Sequence, residues 1–201
     1  MTPIQEKIQF APYTWIDVVE PDAEMISELA KKYKFHELDV EDVLSETQRS
    51  KIDDYDSYIF LVLHFPYADK KTGRVKVEAL NIFLSTQFFI TLHDGNLPQL
   101  KEMVNHLKKN LKLRKEMMSK GMGFLLYELL NKLFDDQFPM MEKVEQRIMT
   151  LEHDVFNLGG GQRDMLRDIL HLKKDIITFE GVIGPLRTVI PQLEYKNDKF
   201  I

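Results

Sequence analysis

The chain has 201 residues and a formal net charge of −5, with 44% hydrophobic and 29% charged residues. This length can bury a core as one domain, alone or with a helical extension. Because the chain has no cysteine, disulfides, thiolate metal sites and cysteine nucleophiles are excluded. The acidic balance argues against nucleic acid as a partner.

No segment of the sequence looks like a membrane span or a leader. The longest apolar run, 58–67, contains His64 and Pro66 and is much shorter than the roughly 20 residues that a spanning helix needs. At the N-terminus, Glu6 and Lys7 stand where a signal peptide would be apolar. We therefore expect no membrane-spanning helix within these residues and no secretion.

Residues 1–120 mix strand and helix patterns and form the first predicted domain. Trp15 to Val18 predicts a strand, and Pro21 marks the start of a helix. Helical spacing predicts helices at about 22–34, 37–46 and 97–118. Aromatic and β-branched runs predict further strands at 51–55, 58–65, 75–84 and 88–92, with a turn at 68–73. The pattern predicts an α+β fold with a mixed, largely antiparallel sheet flanked by helices.

Residues 121–201 form the second predicted domain, a long antiparallel helical hairpin. Apolar residues recur at steps of three and four in two seams: Met141, Val144, Ile148, Leu151, Val155 and Leu158, then Ile169, Leu172, Ile176, Phe179, Ile183, Leu186, Ile190 and Leu193. The glycines at 159–161 predict the turn between them.

The second seam keeps its phase through two prolines. We interpret Pro185 and Pro191 as kinks inside one helix, although an interior proline costs ~3 kcal/mol. The chain reaches Ile201 with no capping signal, so we expect this helix to continue into further residues.

The motifs of common enzyme sites are missing from the sequence. None of the six histidines forms an i, i+4 pair, and there is neither a phosphate-binding glycine loop nor a nucleophile elbow. We therefore predict that the protein is not an enzyme.

One stretch is rich in carboxylates and suggests cation binding. Its members are Glu37, Asp39, Glu41, Asp42, Glu46, Asp53, Asp54 and Asp56. Adjacent carboxylates at Glu41 and Asp42 offer hard oxygen ligands that repel one another until a divalent cation lies between them. The simpler interpretation for most members is a solvated surface. A second acidic pair, Asp135 and Asp136, lies beside the first seam, where surface solvation is again the simpler interpretation.

Several short segments carry a family resemblance through their shared order and spacing. They are 15–17 with Pro21, 36–44 (HELDVEDVL), 48–51 (QRSK), 58–63, 83–84, 89–91, 125–130, 135–136, 148–152 and 185–187. Over nearly its whole length the chain resembles the N-terminal cytoplasmic domain of the CorA-like magnesium and divalent-cation transporters. None of these segments is specific alone.

The resemblance implies an architecture and a regulatory mechanism. It implies an α/β/α layered domain and a helical hairpin leading into a stalk helix that enters the membrane. It also implies a homopentamer around one pore in the cell inner membrane, with this part on the cytoplasmic side. A weakly bound regulatory Mg²⁺, or another divalent cation, would lie between neighbouring protomers and hold the pore closed. The stalk carboxylate and the membrane helices would follow Ile201.

The resemblance also assigns candidate metal ligands. Asp42 and Glu41 fall on the family's acidic pair, with Asp42 the stronger candidate. Asn131 takes the place of a further acidic residue, so a second site would lose a charge but keep an oxygen ligand. Asp135, one helical turn beyond Asn131, is the fourth candidate.

Two other classes of function remain open from the sequence. A zinc-transporting relative of the same superfamily would share fold and topology. Alternatively, a soluble adaptor would use the open heptad seam to bind partner helices.

Overall fold

A computed structural model of the chain describes residues 3–45, 49–156 and 162–196. Its strands are β1 (Ile4–Phe10), β2 (Tyr13–Val19), β3 (Lys51–Asp54), β4 (Ile59–Ala68), β5 (Val75–Leu84) and β6 (Phe88–His93). Its helices are α1 (Ala23–Tyr33), α2 (Glu37–Leu44), α3 (Pro98–Lys109), α4 (Leu111–Met118), α5 (Met122–Asp135), α6 (Gln137–Phe156) and α7 (Gln162–Lys196). The predicted turn at 159–161 and the predicted helical end at 199–201 lie outside the described residues.

The strands form one sheet in the order β1-β2-β6-β5-β4-β3. All neighbouring pairs are antiparallel except β2 and β6, which run parallel with Thr14 opposite Phe88 and Val19 opposite His93. The predicted mixed, largely antiparallel sheet is confirmed. The edge strand β1 was not predicted from the sequence and pairs antiparallel with β2 along its whole length.

Helices cover both faces of the sheet. Successive side chains of a strand point to opposite faces, and β4 shows the result clearly. Ile59, Leu61 and Leu63 pack with side chains from α3, α4 and α5. Phe60 and Val62 pack on the other face with a cluster that includes Leu29 of α1. The layered α/β/α arrangement is therefore confirmed.

Local signals explain where the helices begin and end. The Asp22 side chain accepts a hydrogen bond from the Met25 backbone N–H at 2.8 Å and caps α1. The predicted helical segment at 97–118 divides at Asn110, which ends α3 and caps α4 by accepting from the Leu113 N–H at 3.0 Å. Asn at such a junction satisfies donors that a continuous helix would bond internally.

Helix α5 joins the two predicted domains. It buries side chains from Met122 to Leu133 against the sheet. The main core therefore contains residues on both sides of position 120, and the domain boundary drawn there stays a prediction.

Helices α6 and α7 form the predicted antiparallel hairpin. Arg147 of α6 pairs with Asp175 of α7 at 3.1 Å, and the more C-terminal Leu151 faces the more N-terminal Leu172. Helix α7 runs through Pro185 and Pro191 without ending, as the unbroken seam predicted.

A buried carboxylate fixes α7 to the sheet. Asp175, whose side chain is 1% exposed, accepts hydrogen bonds from Arg74 Nε at 2.9 Å and from the Val75 N–H at 3.2 Å. Arg74 also donates to the His171 carbonyl at 2.7 Å. These bonds join the start of β5 to the first half of α7.

A second buried polar network joins β2, β5 and β6. Thr91 donates to Asp17 at 2.6 Å, and His93 Nε2 lies 3.2 Å from the same Asp17 oxygen. Glu78 accepts from the Asp94 backbone N–H and from the Asn96 side chain. Burial alone would lower the pKa of His93, but Asp17 and Glu78 reverse this effect and raise it to about 9. This network, which lies inside the fold, was not predicted from the sequence.

Candidate functional site

Helix α2 presents the acidic stretch, and one of its carboxylates anchors it. Asp39 is fully buried and accepts hydrogen bonds from the hydroxyls of Tyr55 at 2.9 Å and Tyr58 at 2.6 Å. Burial raises the pKa of Asp39, and the two tyrosine bonds partly oppose this rise. The pKa values of both tyrosines are raised by burial and by Asp39. Asp39 therefore holds α2 against the β3–β4 connection.

Asp42 lies one turn after Asp39 and meets a lysine. Lys51 Nζ forms an ion pair with Asp42 and a second one with Asp53 at 2.6 Å. Burial alone would lower the pKa of Lys51, but its bonds to Asp42 and Asp53 outweigh burial and raise it. The lysine ammonium thus lies between two carboxylates whose oxygens could also ligate a metal cation.

We call Asp39, Asp42, Asp53 and Lys51 the α2 cluster. Ligand oxygens of its three carboxylates lie within 4.8 Å of one another, and no other group of three or more His, Cys, Asp or Glu does so in the part of the chain that the structure describes. Carboxylate oxygens are suitable ligands for Mg²⁺, which binds through few protein groups and keeps several waters. The donor set therefore fits a magnesium-type ion that competes with the lysine.

The four predicted ligands are not brought together within one chain. Asp42 is in the α2 cluster, whereas Glu41 is exposed, because adjacent helical residues point in different directions. Asn131 and Asp135 lie one turn apart on α5, and both are exposed. Helix α5 packs on the sheet face opposite α1 and α2. One site that used all four would therefore need a second copy of the chain.

Two members of the α2 cluster belonged to the acidic stretch but were not selected as ligands. Asp39 precedes Asp42 by three residues on a helix, a spacing that places both on one face. Asp53 follows Lys51 by two residues on a strand, which also places them on one face. These two spacings are the sequence signals for each pair. The contact between α2 and β3, which brings the two pairs together, depends on the tertiary fold and has no local signal.

The hairpin carries an apolar groove of about 570 Å³ between its helices. Ile148 and Leu151 of α6 line it opposite Ile169 and Ile176 of α7.

Among the helices of residues 3–45, 49–156 and 162–196, none combines the length and the hydropathy needed to cross a bilayer.

Comparison with known proteins shows the family to which this chain belongs. The family model described as "CorA-like Mg2+ transporter protein" matches residues 11–201. The chain therefore belongs to the CorA-like Mg²⁺ transporter family, as the resemblance in its sequence indicated.

Individual proteins described as metal ion transporters are also similar to this chain. The chain is 29% identical over 174 residues to a putative metal ion transporter, YfjQ, of Bacillus subtilis. This alignment covers 84% of this chain and 52% of that protein. It is 24% identical over 182 residues to the cobalt/magnesium transport protein CorA of Thermotoga maritima. This alignment covers 90% of this chain and 50% of that protein. The chain thus spans about half the length of these relatives. Both are described as transporters, not as enzymes.

Solved structures show the same fold. The soluble domain of CorA from Methanocaldococcus jannaschii superimposes with a TM-score of 0.77 at 20% identity, covering 96% of this chain and 78% of that one. The cytoplasmic domain of ZntB from Vibrio parahaemolyticus superimposes with a TM-score of 0.70 at 14% identity, covering 92% and 70%.

Proposed function

We propose that this chain is the divalent-cation-sensing part of a magnesium- or cobalt-type ion transporter. Family membership supports the proposal, and so do relatives described as cobalt/magnesium transport proteins, of which the chain spans about half. In this proposal the chain lies on the cytoplasmic side of the cell inner membrane and regulates a pore formed by other segments of the protein.

The observation that carries the sensing role is the cation already present in the α2 cluster. The single positive charge of Lys51 lies between Asp42 and Asp53 and offsets the repulsion between them. A divalent ion that binds Asp42 must displace this ammonium or share the carboxylate with it. Such competition keeps binding weak, as a sensor of changing magnesium concentration requires.

The proposed site is completed between copies of the chain. Asp42 and the exposed Glu41 of one copy would meet Asn131 and Asp135 of a neighbour in a homopentamer. The separation of α2 and α5 on opposite faces of the sheet supports this division, since one copy cannot supply both pairs. Asn131 would contribute a neutral oxygen, so its half of the site would bind less tightly than a carboxylate would.

The test is magnesium-dependent protection from protease in the full-length protein. Asp42→Asn keeps the shape of the side chain but removes its charge, and we expect protection to need roughly tenfold more Mg²⁺, since a charge-assisted contact contributes about 1.5–3 kcal/mol. Asp56→Asn is the matched control, because Asp56 is an exposed carboxylate outside the cluster. Equal protection of the wild type and Asp42→Asn would remove Asp42 from the sensor.

The identity of the transported ion calls for a separate measurement. A zinc-transporting relative would share this fold. Uptake assays with magnesium, cobalt, nickel and zinc on the full-length protein separate the two hypotheses, and zinc uptake without magnesium uptake would reject the magnesium-type proposal.

A further inference from the structure

A separate cavity of about 300 Å³ lies between α7 and the β3–β4–β5 end of the sheet. It is lined on its polar side by Arg49, Ser50, His64 and Thr178, and on its apolar side by Val77, Ile177, Val182 and Pro185. Among the described residues that line it, none is a carboxylate and none belongs to the α2 cluster. The cavity is therefore a different kind of site, with donors where the α2 cluster has acceptors.

His64 supplies one of these donors. The Ser50 hydroxyl oxygen accepts from the His64 backbone N–H at 3.2 Å and lies 3.1 Å from His64 Nδ1. The Ser50 hydroxyl has two acceptor lone pairs and one hydrogen, so its contact with Nδ1 fits either tautomer of the ring. The tautomer in which Ser50 donates to Nδ1 carries its ring proton on Nε2. Burial lowers the pKa of His64 and favours this neutral ring. Within the described residues, nothing accepts a hydrogen bond from Nε2.

Two more donors from the described residues line the cavity, the exposed Arg49 and the half-buried Thr178. Neither the Arg49 guanidinium nor the Thr178 hydroxyl has a hydrogen-bond or ion-pair partner in residues 3–45, 49–156 and 162–196. One acceptor is also available. Pro185 has no N–H, so the carbonyl of Gly181, four residues earlier, lacks its normal helical partner. Gly181 and Pro185 both line the cavity.

We propose that this cavity binds a small, hydroxylated phosphate monoester. In this proposal His64 takes the tautomer with its proton on Nε2. That N–H, the Arg49 guanidinium and the Thr178 hydroxyl donate to the phosphate oxygens. A guanidinium and two single donors match a group with three terminal oxygens better than a carboxylate with two. The Gly181 carbonyl accepts a hydrogen bond from a hydroxyl of the ligand. The carbon atoms of the ligand contact Val77.

The experiment follows the His64 ring signal by NMR in the 201-residue chain, with that signal identified by its loss in His64→Gln. Glycerol 3-phosphate and inorganic phosphate are titrated at constant ionic strength, with chloride as the reference. We expect a saturable shift with both and tighter binding of glycerol 3-phosphate. No saturable shift with either would overturn the site, and equal affinity would overturn the role of the hydroxyl.

Two variants distinguish specific binding in the cavity from nonspecific attraction of the anion to surface charge. Arg49→Gln should weaken binding roughly tenfold or more through loss of a charge-assisted contact, whereas Lys101→Gln, an exposed cation on α3, should leave it unchanged. Gly181→Leu places a bulky side chain at the cavity wall, where a Cβ meets nothing within 4 Å, and should abolish binding. An unchanged urea midpoint shows that this variant folds. Wild-type affinity in Arg49→Gln or Gly181→Leu would overturn the proposal.

Some lipid headgroups also carry a phosphate monoester. Vesicles that contain phosphatidic acid are therefore titrated in the same NMR experiment. A shift with glycerol 3-phosphate but not with vesicles assigns the site to a soluble ligand. A shift with both assigns it to the headgroup as well. Binding to vesicles alone would overturn the assignment to a small molecule.

Discussion

Two groups of carboxylates in this protein each surround a basic side chain, but at very different depths. In the α2 cluster, the side chains of Lys51, Asp42 and Asp53 are 34%, 16% and 37% exposed. In the network of β2, β5 and β6, which we call the His93 network, His93 and its flanking carboxylates Asp17 and Glu78 are at most 4% exposed.

The difference in depth separates a structural role from an exchangeable one. Ion pairs near the surface contribute about 0–1 kcal/mol, because water replaces each partner readily. A buried pair is costly to break, since the charge that remains lacks both water and partner. We therefore expect the ion pairs of Lys51 to open without unfolding of the chain, whereas loss of the His93 network should destabilise the sheet.

The largest expected effect comes from breaking the His93 network. Asp17→Ala removes the acceptor of Thr91 and a partner of His93, and should lower the free energy of unfolding by about 3–5 kcal/mol. Urea unfolding measures this loss. Asp56→Asn, an exposed carboxylate, should change stability by about 0.5 kcal/mol or less. Similar stabilities for the two variants would show that the network does not stabilise the sheet.

The next effect is a dependence of stability on pH. The pKa of His93 is about 9 in the folded chain and about 6.5 when unfolded. Its stabilisation is therefore complete below about pH 6.5 and is lost as pH rises through about 9, up to about 3 kcal/mol in total.

Urea midpoints measured between pH 6 and pH 10 test this dependence, with Asp17→Ala as the comparison. That variant should show a shallower decline, because one of the two carboxylates that raise the pKa is absent. Parallel declines would contradict the assignment to His93.

Asp175 should show an intermediate effect, because it is buried but its partners are not. Arg74 is 21% exposed and Arg147 is 43% exposed. Asp175→Asn should cost about 2 kcal/mol, since water can reach the arginines. Hydrogen exchange should rise along α7 and at the start of β5 more than in β2. A uniform rise throughout the sheet would contradict a local docking role.

The smallest effect on stability is expected at Lys51. Lys51→Met keeps the stem of the side chain beside Phe60 but removes the ammonium, which lies 5.6 Å from that ring. Stability should change by less than about 1 kcal/mol. Removal of the competitor should raise Mg²⁺ affinity roughly fivefold, the equivalent of about 1 kcal/mol. Calorimetric titration measures this gain, with Lys101→Met as the control. Unchanged or weaker binding would show that Lys51 does not compete with the ion.

Local periodicity predicted most of the fold. The hairpin of β4 and β5 and the unbroken α7 follow from alternation and from heptad phase, which depend on neighbours in sequence. Strand β1 was missed because it alternates weakly: Ile4 is 59% exposed while Ile8 is buried. Its identity as a strand depends on pairing with β2.

Contacts that are distant in sequence explain what was missed at the sites. Asp42 followed from the sequence, but its approach to Lys51 depends on how α2 packs beside β3. Asp17 and His93 are 76 residues apart and meet only through the parallel pairing of β2 and β6. No periodic pattern records such a pairing.

The chain has one tryptophan, and its position allows fluorescence to follow the His93 network and the α2 cluster separately. Trp15 is fully buried, and its indole N–H donates at 3.0 Å to Thr91, which in turn binds Asp17. Its fluorescence therefore reports on the His93 network. Tyr55 and Tyr58, stacked with ring centroids 4.7 Å apart and bonded to Asp39, report on α2. The chain has seven tyrosines, so a variant with Tyr55→Phe and Tyr58→Phe serves as the reference. A magnesium titration that changes tyrosine emission in the wild type but not in this variant, while tryptophan emission stays constant, would locate the response to the ion at α2.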